Sequence, residues 1–173
     1  HTALESGLVS VPFAIGNIIG ASQSDRLAAR LGRAVLAIGV ALLTIGLTAL
    51  FLILLLVPTA DLTNWTLLGP LLVAGLGSGL FIAPNVRFIV ATVDRSEAGA
   101  ASGVIGTMQR VGAAAGIAVI GSVFFGNIGP IAGPADLPAA FGQAATPALA
   151  VSAALALVAF LLVFTLPKRV QLH

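Results

Sequence analysis

An all-α, polytopic membrane bundle of about five transmembrane helices is the fold class this sequence predicts. Two observations predict it. Charged residues make up only 8% of the 173 residues and hydrophobic ones 58%, with a mean hydropathy of +1.11. Soluble domains are roughly 25% charged, and so few charges cannot cover a water-facing surface. Several apolar runs also reach the roughly 18–20 residues that cross a bilayer. They lack the polar stripe of a soluble amphipathic helix.

The first span is expected over residues 8–22, with Ala3 and Leu4 able to extend it, Glu5 at an interface and Pro12 in its early turns. A polar loop, Ser22 to Arg33, follows with Asp25, Arg26, Arg30 and Arg33. The second span, 34–57, carries no charge and covers about 36 Å at a rise of about 1.5 Å per residue. Pro58, Asp61 and Asn64 mark a turn, and Trp65 suits the interfacial aromatic belt. The third span, 66–92, contains Pro70 and Pro84 and is thinned by Gly75, Gly77 and Gly79. Asp94, Arg95 and Glu97 lie in the next loop, before a fourth span over 99–125. A loop rich in glycine and proline, Gly126 to Pro147, has Asp136 as its one charge. The fifth span is expected over 148–166, closed by Pro167 and followed by Lys168 and Arg169. Together the spans make one partial transmembrane domain over 1–173. The chain opens at His1 and its one methionine is Met108, which leads to the expectation that it is a piece of a longer protein.

The basic residues orient the spans. Arg26, Arg30 and Arg33 lie in the first loop, Arg95 in the third with Arg87 and Arg110 flanking it, and Lys168 and Arg169 in the tail. The loops around Asp61 and Asp136 have no Lys or Arg. By the positive-inside rule the basic loops and the carboxy terminus are cytoplasmic.

Function classes narrow quickly. Without cysteine there is no disulfide, thiol chemistry or cysteine-ligated metal. A pI near 10.5 comes with a net charge of only +2 and basic residues beside apolar spans, so topology explains them and a nucleic-acid partner is not expected. His1 and His173 sit at the two ends. No metal-ligand spacing, no nucleophile beside a base and no phosphate-binding loop is present. The expectation is therefore no enzyme, no metal and no cofactor, with the lipid bilayer as the first partner.

Four small-residue ridges stand out: Gly16 and Gly20, Gly75 and Gly79, Gly99 and Gly103, Gly112 and Gly116. Lipid gives helices no hydrophobic reason to associate, so close backbone approach at glycine supplies the packing. The same residues would let helices slide or rock. Polar side chains within spans should face a bundle interior or a water-filled path. Asn17, Asn85 and Gln109 are thus open to two roles, interhelical hydrogen bonding or a substrate path. Arg87 and Arg110 read as cytoplasmic-end side chains that snorkel. No acidic residue lies deep in any span.

The run Asp25-Arg26-Leu27-Ala28-Ala29-Arg30-Leu31-Gly32-Arg33 resembles the loop motif G-x-x-x-D-R-x-G-R-R of the major facilitator superfamily. Arg30, Gly32 and Arg33 match it. Asp25 stands at its first glycine and Ala29 at its aspartate. Ala3-Leu4-Glu5-Ser6-Gly7-Leu8 with Pro12-Phe13-Ala14 looks like the entry to the eighth core helix of drug-efflux carriers. Arg95-Ser96-Glu97-Ala98-Gly99-Ala100-Ala101-Ser102-Gly103, continuing to Gly112 and Gly116, is similar to the junction before their eleventh core helix. Together these resemble the fourteen-helix drug:proton antiporter branch.

The resemblance implies most of the carboxy-terminal half of a major facilitator fold, rocking against an amino-terminal half that lies outside this chain. It implies a fragment of a secondary active transporter in a bacterial inner membrane. Its task would be proton-coupled efflux, by alternating access, of drugs (hydrophobic or cationic) or other small amphipathic molecules, with the coupling carboxylates outside this chain. Asp25, Arg26, Arg30, Gly32 and Arg33 would inherit the gating role of the loop motif. Ala29 lacks the expected carboxylate, and Asp25 is placed to pair with Arg26 or Arg30 instead. A small stand-alone membrane subunit or scaffold, without transport of its own, is the alternative.

Overall fold

In the computed structural model, residues 3–57, 64–90, 97–130, 133 and 136–164 are described. The fold is the expected all-α bundle, built from α1 (Ala3–Leu31), α2 (Ala34–Leu56), α3 (Asn64–Val90), α4 (Ala98–Gly126) and α5 (Leu137–Val163). Four of these are long and apolar enough to cross a membrane by length and composition: α2, and the stretches Trp65–Arg87, Ala98–Gly126 and Ala139–Val163. Asp61, Asp94, Arg95, Lys168 and Arg169, on which part of the expected topology rests, lie outside the described residues.

Two segments expected as loops are helical. The polar stretch after the first span continues α1 to Leu31. From Ala21 to Leu31 there is no glycine or proline, and alanine, leucine and arginine favour the helix. Its charges remove the segment from a lipid environment without breaking the backbone. Ser22 and Ser24 donate their hydroxyls to the carbonyls of Ile19 and Ala21, at 2.8 and 2.7 Å, so both polar groups are satisfied within the helix. The second segment is Leu137 to Pro147, which belongs to α5. Pro138 lies at the N1/N2 position of the helix, where a missing N–H is harmless. Pro147 lies inside the same helix. Neither proline punctuates a loop: one starts the helix and the other is carried within it.

Gly32 ends α1. Its φ of +56° is the left-handed conformation that favours glycine, and its N–H reaches the Ala28 carbonyl at 2.9 Å. Arg33 then stands at the N-cap of α2. Only Gly32 and Arg33 separate the helices, yet α1 and α2 touch little; both lie chiefly against α3.

α3 is the centre of the bundle, with α1 on one side and α2 on the other; α5 packs on α2, and α4 leans mainly on α5. Contacts give the directions. Phe13 meets Gly75, Asn17 meets Ser78 and Asp25 meets Arg87, so α1 and α3 are parallel. Gly39 meets Gly77 and Phe81, and Gly46 meets Ala74, so α2 is antiparallel to α3. Phe124 and Phe141, with ring centroids 5.8 Å apart, join the end of α4 to the start of α5. The main buried cluster, Val35, Leu36, Val40, Leu80 and Val163, gathers the start of α2, the later part of α3 and the end of α5. Leu27 and Ala28 of α1 pack against it.

Candidate functional site

Glycine sets the α1–α3 contact. A Cβ at Gly16 or Gly20 would overlap the carbonyl oxygens of Leu72 or Leu76, and one at Gly75 or Gly79 those of Phe13 or Asn17. The two ridges are therefore reciprocal, each glycine pair admitting the backbone of the other helix. The α2–α3 contact uses the same device at positions that the four-residue spacing does not flag. A Cβ at Gly39 would come within 2.9 Å of the Gly77 carbonyl oxygen, and one at Gly46 within 2.6 Å of the Ala74 nitrogen. The available signal is the seven-residue step from Gly39 to Gly46, which keeps one helix face in register.

Asn17 lies in this seam. Its Nδ2 donates to Ser78 Oγ at 3.1 Å, joining α1 to α3 where both are partly buried. Nothing in the sequence singles out Ser78; it shows itself only once α1 is laid on α3. Asn85 is half-buried on α3, next to the buried Pro84 and two turns beyond Ser78. Gln109 is exposed on α4, which packs mainly on α5 and touches α3 little. The three candidate path residues are not brought together.

The loop-motif residues do cluster, at the end of the bundle where α1 and α3 finish. Arg87 donates to Asp25 across the two helix ends, and the pair is largely exposed, at 67% and 55% respectively. Asp25 thus pairs with α3, 62 residues away, not with Arg26 or Arg30 on its own helix. Arg26 and Arg30 instead line an open groove of about 590 Å³ with Gln23, Leu27 and Ala29. An arginine in the last turn also suits the negative end of the α1 dipole.

α4 differs in kind. None of its residues is buried. A Cβ added at Gly99, Gly103, Gly106, Gly112 or Gly116 would meet nothing within 4 Å. Arg110 is not near an end, as the sequence suggests. Twelve residues separate it from Ala98, the first residue of the helix, which is about 18 Å along the axis. Among the described residues, no three His, Cys, Asp or Glu side chains are placed to hold a metal ion.

Comparison with known proteins completes the picture. The family model described as Major Facilitator Superfamily matches residues 1–172. The chain is 37% identical to a probable actinorhodin transporter of Streptomyces coelicolor over 134 residues, 72% of this chain and 22% of that protein. It is 30% identical to the uncharacterized transporter YebQ of Escherichia coli over 121 residues, 69% of this chain and 25% of that one. It is 36% identical to the cephamycin export protein CmcT of Amycolatopsis lactamdurans over 78 residues, 45% of this chain and 16% of the relative. The matches thus span about a quarter or less of the relatives' length. No solved structure matches significantly. With a match running through loop motif, seams and open helix alike, the chain belongs to the major facilitator superfamily.

Proposed function

We propose that this chain is most of the carboxy-terminal half of a secondary active exporter of the fourteen-helix drug:proton antiporter branch. It moves small amphipathic molecules outward by alternating access, coupled to protons. The observation that carries the reading is the family match over residues 1–172. A relative named as a probable actinorhodin transporter supports transport, and one named as a cephamycin export protein supports the outward direction.

In this reading all five helices cross the bacterial inner membrane, α1 included. Antiparallel α2 and α3, with α1 parallel to α3, support that alternation. The end carrying Arg26, Arg30, Arg33 and Arg87 is cytoplasmic by the positive-inside rule. The Asp25–Arg87 pair, with Arg26, Arg30, Gly32 and Arg33, works there as a gate that holds the α1 and α3 ends together in one state of the cycle. The amino-terminal half of the carrier covers α4, whose glycines leave room for a close helix. Gln109 is then the strongest of the three path candidates. The hydrogen bond from Asn17 to Ser78 favours the interhelical role for that residue.

The test is transport by the complete carrier. Reconstituted into liposomes with an imposed pH gradient, it should accumulate an amphipathic dye, and a protonophore should abolish the accumulation. Dye movement that ignores the gradient would remove proton coupling. Absence of movement for any amphipathic dye, by protein that is folded and inserted, would remove the exporter reading.

A further inference from the structure

The uncharged part of α1 and its basic end share one exposed face. No charged residue lies between Glu5 and Asp25. That stretch is about 28 Å long at about 1.5 Å per residue, which matches the roughly 30 Å hydrocarbon core of a bilayer. Ile15, Ile19, Gln23, Arg26 and Arg30 follow one another along the helix. At about 100° per residue they fall within a sector of about 80°. Ile15 and Ile19 are exposed, as are Gln23, Arg26 and Arg30. The sector is turned away from the seam with α3, which is made by Gly16, Asn17 and Gly20. Isoleucine thus gives way to an amide and then to arginine between Ile19 and Arg26, over about 10 Å of helix.

Arg26 and Arg30 make no hydrogen bond or ion pair among the described residues. The adjacent carboxylate, Asp25, is taken by Arg87 of α3. With Gln23, Leu27 and Ala29 the two arginines line the open groove of about 590 Å³. Four residues apart on a helix, their stems start about 6 Å from each other, close enough for both to reach one phosphate. Guanidinium groups donate paired N–H groups to phosphate oxygens, and the Gln23 amide adds a further donor. Basic clusters just cytoplasmic of a span attract anionic lipid. The isoleucine track that leads from the groove toward the middle of the helix selects an anion that carries acyl chains.

Resting on the reading that α1 crosses the membrane with this end cytoplasmic, we propose that Gln23, Arg26 and Arg30 bind the headgroup of an anionic phospholipid. Its phosphate sits between the two guanidinium groups, and its acyl chains lie over Ile19 and Ile15. The lipid is then a neighbour of the Asp25–Arg87 pair and supplies the anion that Asp25 does not.

The experiment uses the complete carrier, purified in a non-ionic detergent and stripped of lipid. Native mass spectrometry follows the tightest-bound lipid, with phosphatidylglycerol and phosphatidylcholine of the same acyl chains. Wild type should bind phosphatidylglycerol at least tenfold more tightly. Arg26→Gln with Arg30→Gln should reduce that preference to less than twofold, and Arg26→Lys with Arg30→Lys should keep most of it. Glycerol 3-phosphate, the headgroup chemistry without chains, should not compete at the concentration of the lipid. No preference in wild type would overturn the proposal, the result expected if the rest of the carrier covers this face. So would a full preference in the glutamine variant, or competition by glycerol 3-phosphate as strong as that of the lipid. Dye transport in liposomes by the same preparation separates this site from the exporter reading. Transport without the lipid preference keeps the exporter and overturns the site. The preference without transport, lost in the glutamine variant, supports the site and removes the exporter.

Discussion

α3 and α4 carry the same sequence signal and put it to different use. Gly75 and Gly79 of α3 are closed over by α1, so near that no Cβ fits. Gly112 and Gly116 of α4 have the same spacing, and nothing lies within 4 Å of where a Cβ would stand. A four-residue glycine ridge therefore marks a face prepared for close approach and does not name what approaches. On α3 the partner is α1, earlier in this chain. On α4 it is not among the described residues. The first ridge helps to make the bundle; the second stands open among the described residues.

Leucine at each ridge gives the largest expected contrast. Gly79→Leu puts a side chain into the Asn17 backbone. Overpacking in a tight contact costs about 1–3 kcal/mol, and more where backbone must move. Little folded carrier should be recovered, as read by size-exclusion profile and thermal unfolding. Gly112→Leu should leave the stability of this bundle within about 0.5 kcal/mol of wild type and show its effect in transport. Equal destabilisation by both would erase the distinction between the ridges.

Gly32 offers a middle-sized effect of another origin. It has no neighbour within 4 Å, so Gly32→Ala meets no clash. Its φ of +56° alone should cost about 1–2 kcal/mol, lowering the unfolding temperature without altering the α1–α3 seam. A neutral Gly32→Ala would mean that α1 does not end as described.

The smallest effects come from the polar links of α1 with α3. A double-mutant cycle on Asn17→Ala and Ser78→Ala should return a coupling of about 0.6 kcal/mol, usual for hydrogen bonds between membrane helices. The Asp25→Asn and Arg87→Gln cycle should return only a few tenths of a kcal/mol, because both groups are largely exposed. That coupling should fade as salt is raised. A larger effect on transport rate than on stability would support its role as a gate.

Much of this arrangement is legible in the sequence, for reasons that differ by element. α2 is plain because Ala34 to Leu56 has no charge to interrupt it. The ridges of α1 and α3 are plain as spacing, but their reciprocity is not, since spacing on one helix carries no information about another. The same limit hides the partner of Asp25: local reasoning offers Arg26 and Arg30, and Arg87 lies 62 residues away. Ser22 to Leu31 reads as a loop because charge signals departure from lipid, while alanine and leucine there keep the helix going. Leu137 to Thr146 reads as a loop because Pro138 and Pro147 frame it. Arg110 reads as a helix-end residue because its distance from Arg95 in sequence is short, whereas its place along the helix depends on where α4 begins.

The most direct measurement is thiol labelling of single cysteines in the complete carrier, to which this chain contributes no native cysteine. Cysteines at Gln109 and Ala113 on α4 are compared with one at Ser78 in the α1–α3 seam and one at the exposed Ile45 of α2. If α4 lines the transport path, its two sites should react with a water-soluble maleimide and be protected by a transported dye. Ser78→Cys and Ile45→Cys should stay unreactive, one closed in the seam and the other facing lipid. Reaction at Ser78→Cys with silence at Gln109→Cys and Ala113→Cys would contradict that division between a closed ridge and an open one.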